Sequence, residues 1–122
     1  MGRLGRVTRV ALWINAVLHT VGCIGFLVGP ETSGAMARRT AGAGLAAAFM
    51  MVFVAQRLSR DARLIALPIA FVLGNLAVSV YDFALLHDTR ALAPAFFETV
   101  FLVLYTAFAL GQRSAMPAKR QI

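Results

Sequence analysis

The sequence predicts an all-α fold: a four-helix transmembrane bundle running up-down-up-down, with both termini in the cytoplasm. Three observations predict it. Of the 122 residues, 60% are hydrophobic and only 14% are charged, whereas a soluble domain is nearer half apolar and a quarter charged; mean hydropathy is +0.77. The apolar residues gather into four runs, about 8–29, 39–56, 64–86 and 92–111, each close to the ~30 Å that a helix rising ~1.5 Å per residue must cover to cross the hydrocarbon core. The cationic residues sit between the runs, and unevenly. The N-terminal segment, the second connection and the C-terminal tail hold nine of them: Arg3, Arg6, Arg9, Arg57, Arg60, Arg63, Arg113, Lys119 and Arg120. The first and third connections hold three, Arg38, Arg39 and Arg90. Excess positive charge marks the cytoplasmic side, which places both termini there.

The elements follow in order within a single domain, residues 1–122. Arg3, Arg6 and Arg9 are three apart and, on a helix, share one face at headgroup level. Val10 to Gly29 is the first span. It is longer than the core of a signal peptide and contains Asn15 and His19, so the Ala35-Met36-Ala37 triplet is not read as a cleavage site. Gly29-Pro30 ends the span, because proline does not continue a helix. Glu31 to Arg39 reads as a loop. Thr40 to Gln56 is the second span. Its first half is almost all Gly and Ala, and small residues let helix backbones approach where lipid removes the hydrophobic drive for association. Arg57 to Arg63 is a polar turn, and Leu64 to Leu86 is the third span, with Pro68 expected to kink it near its start. His87 to Ala91 is the third connection. The fourth span carries Pro94 in its first turn, where proline is tolerated.

The charge of +7 does not imply nucleic acid, because the arginines flank apolar runs instead of forming one patch. The lone cysteine, Cys23, excludes an internal disulfide and a thiolate metal cluster, and reads as a small buried residue. No Ser-His-Asp pattern, phosphate loop or helical HExxH occurs. No cofactor, metal or catalytic residue is expected, and an intramembrane enzyme ranks last among the functions weighed.

The chemistry lies in the polar residues inside the spans. Glu98 leads, since an ionised side chain in a bilayer costs at least a few kcal/mol and faces a protein interior or a wet cavity. From the outer ends of the spans, Glu98 falls ~9 Å deep, Asp82 ~6 Å, Ser79 ~10 Å, and Asn75 and His19 ~15 Å. Asn75, Ser79 and Asp82 share one face of the third helix, and Asn15, His19 and Gly22 one face of the first. Turned inward, they make an outward-facing polar pocket with Glu98 and Asp82 in its walls, His19 and Asn75 at its floor, and Arg39 at its mouth. Arg39 is the expected partner of Glu98. The bland alternative makes the same residues helix-to-helix hydrogen-bond glue.

Gly29-Pro30-Glu31 after the first span, Arg39 with Ala41-Gly42-Ala43-Gly44 in the second, and Glu98 early in the fourth carry a likeness. The chain resembles small bacterial four-helix membrane proteins near the DoxX-like and BphX-like families, for which no activity is established. The resemblance implies the bacterial cytoplasmic (inner) membrane. The expected function is non-enzymatic: binding of a small molecule or lipid in the outer half of the bundle, within a transport process. The alternative is a structural or partner subunit of a larger membrane complex. The expected partners are the lipid bilayer, that ligand, and either further copies of the chain or another membrane protein.

Overall fold

The computed structural model describes residues 2–28 and 34–115, with side chains described within 2–25 and 40–114. The Gly29-Pro30-Glu31 step, the side chains of Arg38 and Arg39, and the tail from residue 116 lie outside the described residues. Four helices carry the chain: α1 (Arg3–Val28), α2 (Gly34–Arg57), α3 (Ala66–Leu86) and α4 (Leu92–Ala115). Short 3-10 turns, Ala62–Ile65 and Thr89–Ala91, lead into α3 and α4. No strand occurs among the described residues. All four helices are long and apolar enough to cross a membrane.

Two boundaries differ from the sequence reading for one reason. Helix α1 begins at Arg3 and α2 at Gly34, so most of the stretch expected as the first loop is helical. A helix continues past the apolar run into polar residues, where hydropathy carries no signal. Pro68 is a correction of another kind. It is the third residue of α3, so its missing N–H belongs to the first turn, where no intrahelical partner exists and no kink is required.

Helix α1 packs most closely on α2, and α3 on α4. The pairs meet along α1–α4 and α2–α3, and α1 makes no backbone contact with α3, nor α2 with α4, among the described residues. Asn15 reaches Met51 and Cys23 reaches Ala41, so α1 and α2 run in opposite senses there. Close approach depends on Gly44, since a Cβ at that position would collide with the Cys23 Sγ. The Cys23 thiol instead donates to the Ala41 carbonyl at 3.1 Å. The small residues of α2 thus divide by face: Ala41, Ala47 and Ala48 are buried, whereas Gly42 and Ala46 are exposed.

The surface is as apolar as the interior. Val7, Val10, Ile14, Val17, Val21 and Ile24 form an exposed stripe along α1 at spacings of three and four, whereas Thr8 and Asn15 are buried. In water such a stripe would be unstable; against lipid tails it is the required surface. Four hydroxyls on the spans are satisfied by their own helices. Thr8, Thr20, Thr99 and Ser114 each donate to the carbonyl four residues back, at 2.7–3.1 Å.

The two polar connections share a device. Asp61 accepts from the Arg63 backbone N–H and Nε, both at 3.1 Å. Asp88 accepts from the Arg90 N–H and Nε at 3.0 Å, and from Nη2 at 3.1 Å on its other oxygen. Each Asp-x-Arg step caps the 3-10 turn that starts the next span. The arginine side-chain bond, and then the backbone bond, hold each aspartate below the ordinary carboxylate range. At the end of α3, His87 takes the left-handed conformation, φ 54° and ψ 31°. Its own N–H and that of Asp88 both turn back to the Asp82 carbonyl.

Candidate functional site

The bundle has a filled half and a hollow half. Leu12, Met51, Val54, Leu58, Val72 and Phe108 fill the half that holds the start of α1 and the ends of α2 and α4. Small residues at Thr40, Ala43 and Gly44 leave space in the other half, where a cavity of about 480 Å³ opens between the four helices. A layer of bonded side chains separates the two. Tyr105 is fully buried and stacks on Phe101 at 5.9 Å, and its hydroxyl accepts from the Asn15 Nδ2 at 3.0 Å. The Asn15 Oδ1 on the same side chain is buried without a partner.

Four of the six residues expected at a site line this one cavity: His19 from α1, Asn75 and Ser79 from α3, and Glu98 from α4. The helices deliver them by register. Ser79 follows Asn75 by four residues, which returns it to nearly the same side of α3. Glu98 lies three residues before Phe101 and seven before Tyr105, on the buried face of α4. Asp82 does not line the cavity and is only half-buried. Asp82 follows Asn75 by seven residues, within about 20° of the same direction but about 10 Å further along α3, so it lies past the cavity along the helix axis. Its recorded role is through its carbonyl, at the end of α3.

The hydrogen bonds order the groups. The His19 Nδ1 lies 2.9 Å from the Asn15 carbonyl, which can only accept, so Nδ1 carries the proton. Nε2 is then the acceptor, and it takes a bond from the Asn75 Nδ2 at 3.3 Å. The Phe71 ring meets the His19 ring edge-on, at 5.1 Å between centroids. Asn75 and Glu98 stand in the same cavity wall. Arg39, the partner expected for Glu98, has its side chain outside the described residues. Glu98 is 7% exposed, and its Oε2 has no partner among the described residues. No group of three or more His, Cys, Asp or Glu gathers to hold a metal among the described residues.

The remaining wall is apolar, chiefly Leu18, Phe71, Val78, Phe97 and Phe101. None of these was singled out from sequence, because a Phe inside a span has no distinguishing pattern. The nearest available signal was position, since Phe97 and Phe101 stand beside and one turn beyond Glu98. A second cavity, about 390 Å³, lies between α1 and α2 around Trp13, Leu45 and Phe49. Its one polar lining residue, Thr20, already spends its hydroxyl proton on the Ala16 carbonyl.

No protein-family model, curated protein or solved structure matches this chain. The described lining offers one acid, one amide, one imidazole, two hydroxyls (Thr40 and Ser79) and the Cys23 thiol on an otherwise apolar wall. That is the usual composition of a small-molecule site.

Proposed function

We propose that this is an integral membrane protein that binds a small molecule or lipid in the hollow half of its helix bundle. One observation carries the proposal: a carboxyl group 7% exposed, with an oxygen that has no partner, stands in the wall of a cavity of about 480 Å³. A buried polar atom without a partner is costly, and at a ligand site the cost is removed when the ligand arrives. The proposal includes the up-down-up-down orientation, both termini in the cytoplasm, and the bacterial inner membrane implied by the likeness to DoxX-like and BphX-like proteins. The asymmetry of nine cationic residues against three supports the orientation.

A second reading makes the polar residues structural glue in a partner subunit. It is favoured by Asn15, whose bond to Tyr105 joins α1 to α4, neither residue lining the cavity. Both readings meet at Glu98→Gln. Under the binding reading, the variant in lipid nanodiscs keeps its helicity and monodispersity and loses the small molecule that mass spectrometry finds carried by the wild type. Under the glue reading it unfolds or aggregates. For orientation, a Cys23→Ser background carrying Ser59→Cys should resist an impermeant thiol reagent applied to intact cells. The same background carrying Thr89→Cys should react. The opposite pattern would invert the topology.

A further inference from the structure

The polar groups around the cavity can be counted by what they have left to give. The His19 Nδ1–H is spent on the Asn15 carbonyl, and Nε2 only accepts. One Nδ2 hydrogen of Asn75 is spent on His19, which leaves the amide one N–H and its Oδ1. The Glu98 Oε2 is a buried acceptor with no donor. Ser79 supplies one hydroxyl, able to give once and accept twice. Among the described lining residues there is no lysine or arginine. The group left unsatisfied in the wall is an acceptor, the Glu98 Oε2, so an occupant that satisfies it must bring a donor.

The apolar wall selects further. Phe71, Phe97 and Phe101 offer ring surface beside Glu98, and aromatic faces tolerate a partly desolvated cation. A carboxylate or phosphate headgroup would set its charge against the Glu98 carboxylate, with no cationic side chain among the described lining residues to offset it. A protonated amine offers three N–H donors and the complementary charge. We propose that the cavity takes a lipophilic amine, an apolar alkyl or aryl body with one protonated nitrogen, the nitrogen seated on the Glu98 carboxyl and the Ser79 hydroxyl. The inference rests on the cavity being a binding site at all, and deepens it by naming the class of ligand.

The test uses the full chain in phosphatidylcholine nanodiscs with three probes of one chain length: decylamine, decanol and decanoate. Binding is read as a saturable shift of the thermal unfolding midpoint, corrected with empty nanodiscs. Decylamine should bind the wild type at least about tenfold more tightly than decanol, and decanoate more weakly still. Glu98→Gln should bind decylamine at least about tenfold more weakly, with decanol little changed. If Glu98→Gln does not fold, the wild-type ranking of the three probes decides alone. Decanol or decanoate binding as tightly as decylamine would overturn the amine inference. Should that binding also vanish in Ser79→Phe, which fills the cavity, the cavity remains a binding site for another class of ligand. If none of the probes binds the wild type, both the amine inference and the binding reading fail.

Discussion

The Asn75 amide donates to the His19 Nε2 at 3.3 Å across the diagonal of the bundle, between helices whose backbones do not touch. Together with the Phe71 ring against His19, it closes the floor of the cavity from α3 to α1. Interhelical hydrogen bonds in lipid each stabilise by about 1 kcal/mol. Asn75→Ala should therefore cost about 1 kcal/mol. The double variant with His19→Ala should cost less than the sum of the two single changes, because they delete one shared bond. Equilibrium unfolding of all four proteins in bicelles checks this; strict additivity would mean the bond does not stabilise the fold.

Gly44 and Cys23 set the spacing of α1 and α2. Alanine in place of glycine inside a helix ordinarily stabilises by about 1 kcal/mol. Here the new methyl meets the Cys23 sulfur, and overpacking of that kind costs about 1–3 kcal/mol. The thiol is also held by its bond to the Ala41 carbonyl, so it does not move aside freely. Gly44→Ala should therefore lower stability, and adding Cys23→Ala should restore it to at least the level of Cys23→Ala alone. Thermal unfolding in detergent measures all three. A stabilised Gly44→Ala single variant would show that the helices separate without cost.

His87 is the one residue other than glycine with a positive φ among the described residues. A side chain in that conformation costs about 1 kcal/mol, which glycine avoids. His87→Gly should raise stability by about that amount, while the Asp82 carbonyl keeps its two donors. The unfolding midpoint of the variant checks it, and a lowered midpoint would assign the imidazole a stabilising contact.

Asp61 and Asp88 are each held below the ordinary carboxylate range, first by the side-chain bond to Arg63 or Arg90. A depressed folded-state pKa contributes stability that is present above the unfolded pKa. That stability is lost as pH falls through the lower, folded value. Both carboxylates are partly exposed in the connections, so solvent screening keeps the effect small. The stability of Asp61→Asn and Asp88→Asn relative to wild type should be constant from neutral pH down to about 4. Below that the deficit should shrink. A deficit that grows on acidification would reverse the sign.

Long apolar runs made the four helices legible in the sequence, since a bilayer demands length and composition that little else supplies. Their ends were less legible. Arg3 and Gly34 start helices without any change in hydropathy to announce them. The cavity-facing set was half legible by periodicity: Asn75 and Ser79 stand four apart and share its wall, whereas Asp82, three further on, leaves it. Counting from the span ends placed Asp82 beside Glu98, but it could not show where along α3 the cavity stops. The aromatic wall was invisible for a simpler reason: apolar residues face both lipid and cavity, so their identity carries no direction.

The division into a packed half and an open half also makes the molecule mechanically uneven. Prising the α1–α2 pair from the α3–α4 pair at the Leu12 and Phe108 end would empty a core of large side chains. At the other end the described connection between α1 and α3 is one amide-to-imidazole bond and one ring edge. Lateral pressure from the surrounding lipid therefore acts on a wedge with a stiff butt and a compliant tip. Bilayer thickness and curvature should be felt first where the cavity lies.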